Sequence, residues 1–162
     1  MKRILGIDYG DARTGISITD ALNITAQGLE TINNKGSDKV ILKRLDELFS
    51  IYEVDTIVIG RPINMNGTES ERTEITDKFI HKLKCKYNTL KIETIDERLT
   101  TVAAHKTMNL LDVNKYKKRN IVDTISAVYI LETYLNKIKV NLIEKYKCFR
   151  KERLKNGKRR SW

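Results

Sequence analysis

Residues 3–20 read RILGIDYGDARTGISITD, and this stretch sets the fold. RILGID (3–8) is a short apolar run closed by an acid, and GISITD (15–20) alternates in the manner of a half-buried strand. Gly10 and Gly15 bracket Asp11, Ala12, Arg13 and Thr14, so the two runs can pair as an antiparallel hairpin with a longer loop. Alternation along the first run sets Ile4, Gly6 and Asp8 on one face and Leu5, Ile7 and Tyr9 on the other. Both faces are apolar except at Asp8. A carboxylate ending such a strand loses hydration, and it stays charged only where a cation or several donors compensate. The bland alternative is local, with Asp8 accepting an Asx-type hydrogen bond from the Gly10–Gly15 turn.

Outward from the hairpin, a third strand is expected around Ile24–Ile32, with a bulge near Ala26, Gln27 and Gly28. Ser37 is a good N-cap for a helix with Val40, Ile41, Leu45, Leu48, Phe49 and Tyr52 on one side. DTIVIG (55–60) is a continuous apolar run, as in a parallel strand buried on both faces. A turn-rich loop follows, holding Pro62, the one proline. Ile75, Phe79, Ile80 and Leu83 mark a second helix, Leu90–Ile95 a fifth strand, and two further helices close the order. The last, about residues 120–138, is apolar on more than one side and is expected to be mostly enclosed. This order predicts an α/β domain: a five-stranded mixed sheet, strands 1–3 antiparallel and strands 4 and 5 parallel, flanked by helices.

A chain of 162 residues fits one such domain, over 1–138, with a basic extension over 139–162. The formal charge is +10, and residues 137–162 hold 11 Lys and Arg against Glu144 and Glu152, so nearly all the excess lies there. That run suits a polyanionic partner, or else simply stays solvated. Cys85 and Cys148 are isolated, without neighbours at zinc-ligand spacing, and no segment reads as a signal peptide or membrane span. The expected setting is cytoplasmic, without membrane contact.

Two more acids stand out. Asp123 begins a helical stripe continued by Ala127, Ile130 and Tyr134, yet Asn120 as N-cap would make Asp123 an ordinary first-turn acid. After the fifth strand come Asp96, Glu97 and Arg98, and the pattern alone leaves open which acid turns toward Asp8. An ordinary surface turn would look the same.

Together, GIDYGDARTGIS (6–17), VIGRPINMNGTES (58–70), DERLTT (96–101) and VDTISAVYILETYL (122–135) resemble, in order and spacing, the YqgF-type family over about residues 2–138. Its members are described as pre-16S ribosomal RNA nucleases or Holliday junction resolvases. The resemblance implies a ribonuclease H-like fold and maps the family's acids onto Asp8, Glu97 and Asp123, the expected catalytic and metal-holding residues. Arg61, where an apolar residue usually follows the glycine, and Ile125, where a smaller one is frequent, depart from the family pattern.

Three carboxylates without a His or Cys cluster suit a hard cation, Mg²⁺ or Mn²⁺. In a two-metal scheme with ions about 3.5–4 Å apart, Asp8 would bridge both while Glu97 and Asp123 complete the sites. Arg13, Arg98 and the cluster Lys115, Lys117, Lys118 and Arg119 neighbour the acids in sequence, as phosphate contacts, counter-charges or solvated residues. His81 and His105 have no partner that would make either a general base, and Trp162 could stack on a base or stay unengaged.

The expected activity is metal-dependent phosphodiester hydrolysis at the 5′ end of precursor 16S ribosomal RNA. The alternatives are a Holliday junction resolvase on branched DNA and a noncatalytic RNA-binding ribosome-assembly module. The partner is nucleic acid, structured RNA first, and the chain is expected to be a monomer or weak dimer. A sugar-kinase, actin or Hsp70 type of ATPase shares a GIDYG-like start but needs a second lobe that this length does not supply.

Overall fold

The computed structural model describes residues 2–64, 66–99 and 115–158, with the side chains of 99, 115–121, 151–152 and 154–158 outside that description. The helix expected after DERLTT, His105 and Trp162 lie outside the described residues. The elements are β1 (Arg3–Asp8), β2 (Arg13–Thr19), β3 (Ala26–Asn33), α1 (Asp38–Ile51), β4 (Val54–Arg61), α2 (Glu71–Lys86), β5 (Lys91–Asp96), a 3₁₀ turn (Glu97–Leu99) and α3 (Lys115–Lys158).

The five strands form one sheet in the order β3-β2-β1-β4-β5. β1 pairs antiparallel with β2 and parallel with β4, β2 pairs antiparallel with β3, and β4 parallel with β5. The expected mixed sheet is therefore observed. The bulge falls at Leu29, where Ser17 faces Gly28 but Ile16 faces Glu30.

Strand alternation divides the core in two. Leu5 and Ile7 of β1, with Tyr9 just beyond it, pack with Ile41, Leu45 and Leu48 of α1 and Phe79, Ile80 and Leu83 of α2. Ile4, Val58 and Ile95 face the other way, against Ile130, Leu131, Tyr134 and Leu135 of α3. Each Leu or Ile fully removed from water contributes roughly 1.5–3 kcal/mol before entropy is counted. Two expectations change. Val40 is 44% exposed, because it sits at the margin of the stripe that α1 presents to the sheet. α3 is buried along one stripe only, with Val122, Ile125 and Val128 partly exposed, because among the described residues it packs against the sheet alone.

Both cysteines are free and exposed, and His81 lies exposed on α2 with Nε2 3.5 Å from Cys85 Sγ. No helix among the described residues is long and apolar enough to cross a membrane.

Candidate active site

Asp8 ends β1 on the face that α3 covers, between two glycines. Gly15 of β2 lies opposite it, and the register Ile7 beside Ile59 brings Gly60 of β4 to its other side. Each glycine admits another acid. A Cβ at Gly15 would come within 2.0 Å of the Asp123 carbonyl oxygen, so only glycine lets the backbone of α3 descend there. A Cβ at Gly60 would lie 2.9 Å from Glu97 Oε1 and 3.1 Å from its Cγ, so the Glu97 side chain lies in the space that glycine leaves. The row Gly15–Asp8–Gly60 thus draws Asp123 in from one side and Glu97 from the other.

The hydrogen bonds dispose of the bland readings one at a time. The Gly10–Gly15 loop is held by Asn34, 1% exposed, whose Nδ2 donates to the Gly10 and Asp11 carbonyl oxygens at 3.1 and 2.9 Å. Asp8 instead faces α3, where the nearby Ser126 hydroxyl favours its charged form. Asp96 takes Arg98 in a two-pronged pair, Nε to Oδ1 at 3.0 Å and Nη2 to Oδ2 at 2.6 Å, and caps the Arg98 backbone N–H. That leaves Glu97 as the acid over Gly60. α3 begins at Lys115, more than two turns before Asp123. Asn120 is therefore not its N-cap, and Asp123 is no first-turn acid.

Electrostatics follow from this crowding. The Asp8 carboxyl is pushed up to about 7, first by lost hydration and next by Glu97, with Asp123 adding to the rise and Arg72 and the Ser126 hydroxyl opposing it. Lost hydration also raises Glu97, with Arg72 pulling the other way and Asp96 adding to the rise. Arg72 was invisible in the sequence. It stands in the first turn of α2, exposed, and only the fold brings it to face acids distant in the chain. Its placement beside the N-cap Ser70 was the one available signal.

The Asp123 carboxylate is turned to Arg13, Nε to Oδ2 at 2.7 Å, both side chains partly exposed. Among the described residues no three His, Cys, Asp or Glu side chains are gathered tightly enough to enclose an ion as they stand. The donor chemistry nevertheless fits a hard divalent cation: carboxylate oxygens from β1, the 3₁₀ turn and α3, of which Asp8 and Glu97 are raised in pKa first by lost hydration, a cost that bound positive charge would offset. Arg61, the departure from the family pattern, forks onto Asp77 (2.8 and 2.7 Å) and reaches Glu69 (2.5 Å), so it ties the 62–70 loop to α2. Ile125 is partly buried on α3. Lys115, Lys117, Lys118 and Arg119 open α3, with their side chains outside the described residues.

Comparison with known proteins places the chain in a family and a fold. The family profile described as "RuvX: Holliday junction resolvase" matches residues 2–137. A protein of Ruminiclostridium cellulolyticum named "Putative pre-16S rRNA nuclease" is 54% identical over 141 residues, 86% of this chain and 97% of that one. Another of the same name, from Acetivibrio thermocellus, is 49% identical over 134 residues, 83% of this chain and 95% of that one. Among solved structures, T. thermophilus RuvC in complex with Holliday junction substrate aligns with TM-score 0.55 at 11% identity, over 86% of this chain and 97% of that one. The fowlpox virus Holliday junction resolvase aligns with TM-score 0.52 at 11% identity, over 84% and 99%. At such identities the likeness is one of fold, the ribonuclease H-like arrangement.

Proposed function

The chain belongs to the RuvX family, the YqgF-type family of the sequence resemblance, and from that membership we propose that it is a metal-dependent nuclease processing the 5′ end of precursor 16S ribosomal RNA in the cytoplasm. One observation carries the reading: at the end of β1 Asp8 has Glu97 over Gly60 on one side and the backbone of Asp123 over Gly15 on the other, and both acids raise its pKa. A noncatalytic RNA-binding module gains nothing from setting three acids where a phosphate backbone would approach.

Asp8, Glu97 and Asp123 would hold Mg²⁺ or Mn²⁺, which supplies the positive charge that activates a water and stabilises the leaving oxygen of a phosphodiester. Asp8, whose carboxyl is pushed up to about 7, is the ligand from which a bound cation would displace a proton. Arg13 holds the Asp123 carboxylate and, on exchange, is free to meet a phosphate. Arg72, facing Asp8 and Glu97 from the start of α2, is the better-placed cation for the scissile phosphate, while Arg98 serves first as the partner of Asp96.

The family description favours one alternative, resolution of branched DNA, which calls for paired cuts and hence a dimer. Side-by-side incubation of a structured precursor RNA and a four-way DNA junction with Mg²⁺ or Mn²⁺ decides between them. RNA cleavage lost in Asp8→Asn is the expected result. Symmetric junction cleavage alone would replace it with the resolvase reading, and tight RNA binding without cleavage would leave the binding module.

A further inference from the structure

α3 outruns the body it packs on. Its buried face ends at Leu135, with Ile138 partly packed, yet the helix continues unbroken to Lys158. Residues 138–162 lie outside the family match. Leu142, Tyr146 and Phe149 are 62%, 69% and 56% exposed. At 3.6 residues per turn they share an arc of roughly 60°, and with Lys145 and Cys148 they line an open groove. Among the described side chains, Lys139, Lys145, Arg150 and Arg153 flank them, with Lys147 and Glu144 on other sides of the helix, and the Arg153 guanidinium lies 5.5 Å over the Phe149 ring.

Three partners could cover this face, and charge separates them. A second copy would bring the same cations into contact and repel. An anionic bilayer asks for a broad apolar face with cations opposite, whereas Arg153 stands within the apolar stripe, and the exposed Val140 and Ile143 lie on another side beside Lys147. An unpaired nucleic-acid strand asks for cations along its path and exposed rings on which bases stack, and this helix offers both, with Arg153 over one face of Phe149 and the rest of the ring exposed.

We propose that the projecting end of α3 is a second nucleic-acid-binding site, where bases of an unpaired RNA strand stack on Tyr146 and Phe149 while Lys145, Arg150 and Arg153 neutralise its phosphates. The inference rests on the reading of nucleic acid as this protein's partner. Because Asp123 and Tyr146 share one helix, a rise of 1.5 Å per residue sets the stacking site about 35 Å from the acids. The arm thereby grips the substrate at a fixed remove from the site of cleavage.

The test is fluorescence anisotropy of the full chain with a single-stranded RNA of about 30 nucleotides, in EDTA so that binding is read without cleavage. A failure of the nuclease reading therefore leaves this result standing, and the reverse holds too. Tyr146→Ala with Phe149→Ala should weaken binding at least about tenfold, and Tyr146→Trp with Phe149→Trp should bind as the parent does. Lys145→Gln, Arg150→Gln and Arg153→Gln together should lower the salt slope by about two units. Parent-like affinity and slope in the alanine and glutamine variants would overturn the proposal. So would a tenfold loss in the tryptophan pair, which keeps stacking surface even if the alanine pair loses helix. Loss of phosphatidylserine-vesicle binding or of a dimer, with RNA binding intact, would overturn it in favour of a membrane or a second copy.

Discussion

Removing the charge of Asp8 should make the metal-free protein more stable while abolishing its activity. Burial and the neighbouring acids raise the Asp8 carboxyl from 3.8 to about 7. A raised acid pKa means that the folded state holds a proton the unfolded chain has already released, so stability falls as pH climbs from about 4 to 7 and levels off above that. At about 1.36 kcal/mol per unit, the full shift corresponds to about 4 kcal/mol. Local relaxation and water entry would reduce this to about 2 kcal/mol. Asp8→Asn removes the charge with little change of shape. In EDTA its melting temperature should match the parent's near pH 4 and exceed it by roughly 4–8 °C at pH 8. Adding Mn²⁺ should raise the parent's Tm and leave the variant's unchanged. Differential scanning calorimetry across pH reads all of this. An Asp8→Asn protein less stable than the parent at pH 8, or a difference that does not vary with pH, would refute the account of a crowded, poorly compensated carboxylate.

The same geometry makes further predictions. Gly60→Ala sets a Cβ 2.6 Å from Ile130 Cδ1 and 2.9 Å from Glu97 Oε1, so it should cost about 1–3 kcal/mol; Mn²⁺ titration should also show weaker binding, and unchanged affinity would mean that Glu97 does not act from above Gly60. Arg72→Ala removes a charge that lowers both Asp8 and Glu97, so the lower limb of the pH–rate profile should move to higher pH and the KM for nucleic acid should rise; an unmoved profile would take Arg72 out of the site. Arg61→Leu breaks pairs whose partners, Glu69 and Asp77, are 62% and 42% exposed, so chemical denaturation should show a loss of about 1 kcal/mol or less, with cleavage retained.

What the sequence could reveal depended on how far each interaction reaches along the chain. β1 and β2 are local, and their alternation set Asp8 on one face with Ile4 and Gly6, while only the fold shows that α3 covers that face. Asp96 against Glu97 could not be decided that way, because a 3₁₀ turn breaks the period and only the fork with Arg98 fixes which acid is left over. Asp123 read equally well as a first-turn acid, since nothing around Asn120 reveals that α3 starts earlier at Lys115. Val40 falls at the margin of the stripe of α1, and the closeness of Arg72 to Asp8 is wholly tertiary. Gly15 and Gly60 were visible as residues, but their purpose appears only when the cross-strand register lines them up beside Asp8.

The most direct measurement of the central claim is anomalous diffraction from crystals of the full chain grown with Mn²⁺. The account predicts a strong peak bonded to Asp8 and shared with Glu97 and Asp123, the last released from Arg13. Manganese bound elsewhere, with Asp123 still on Arg13 and no peak at Asp8, would contradict it.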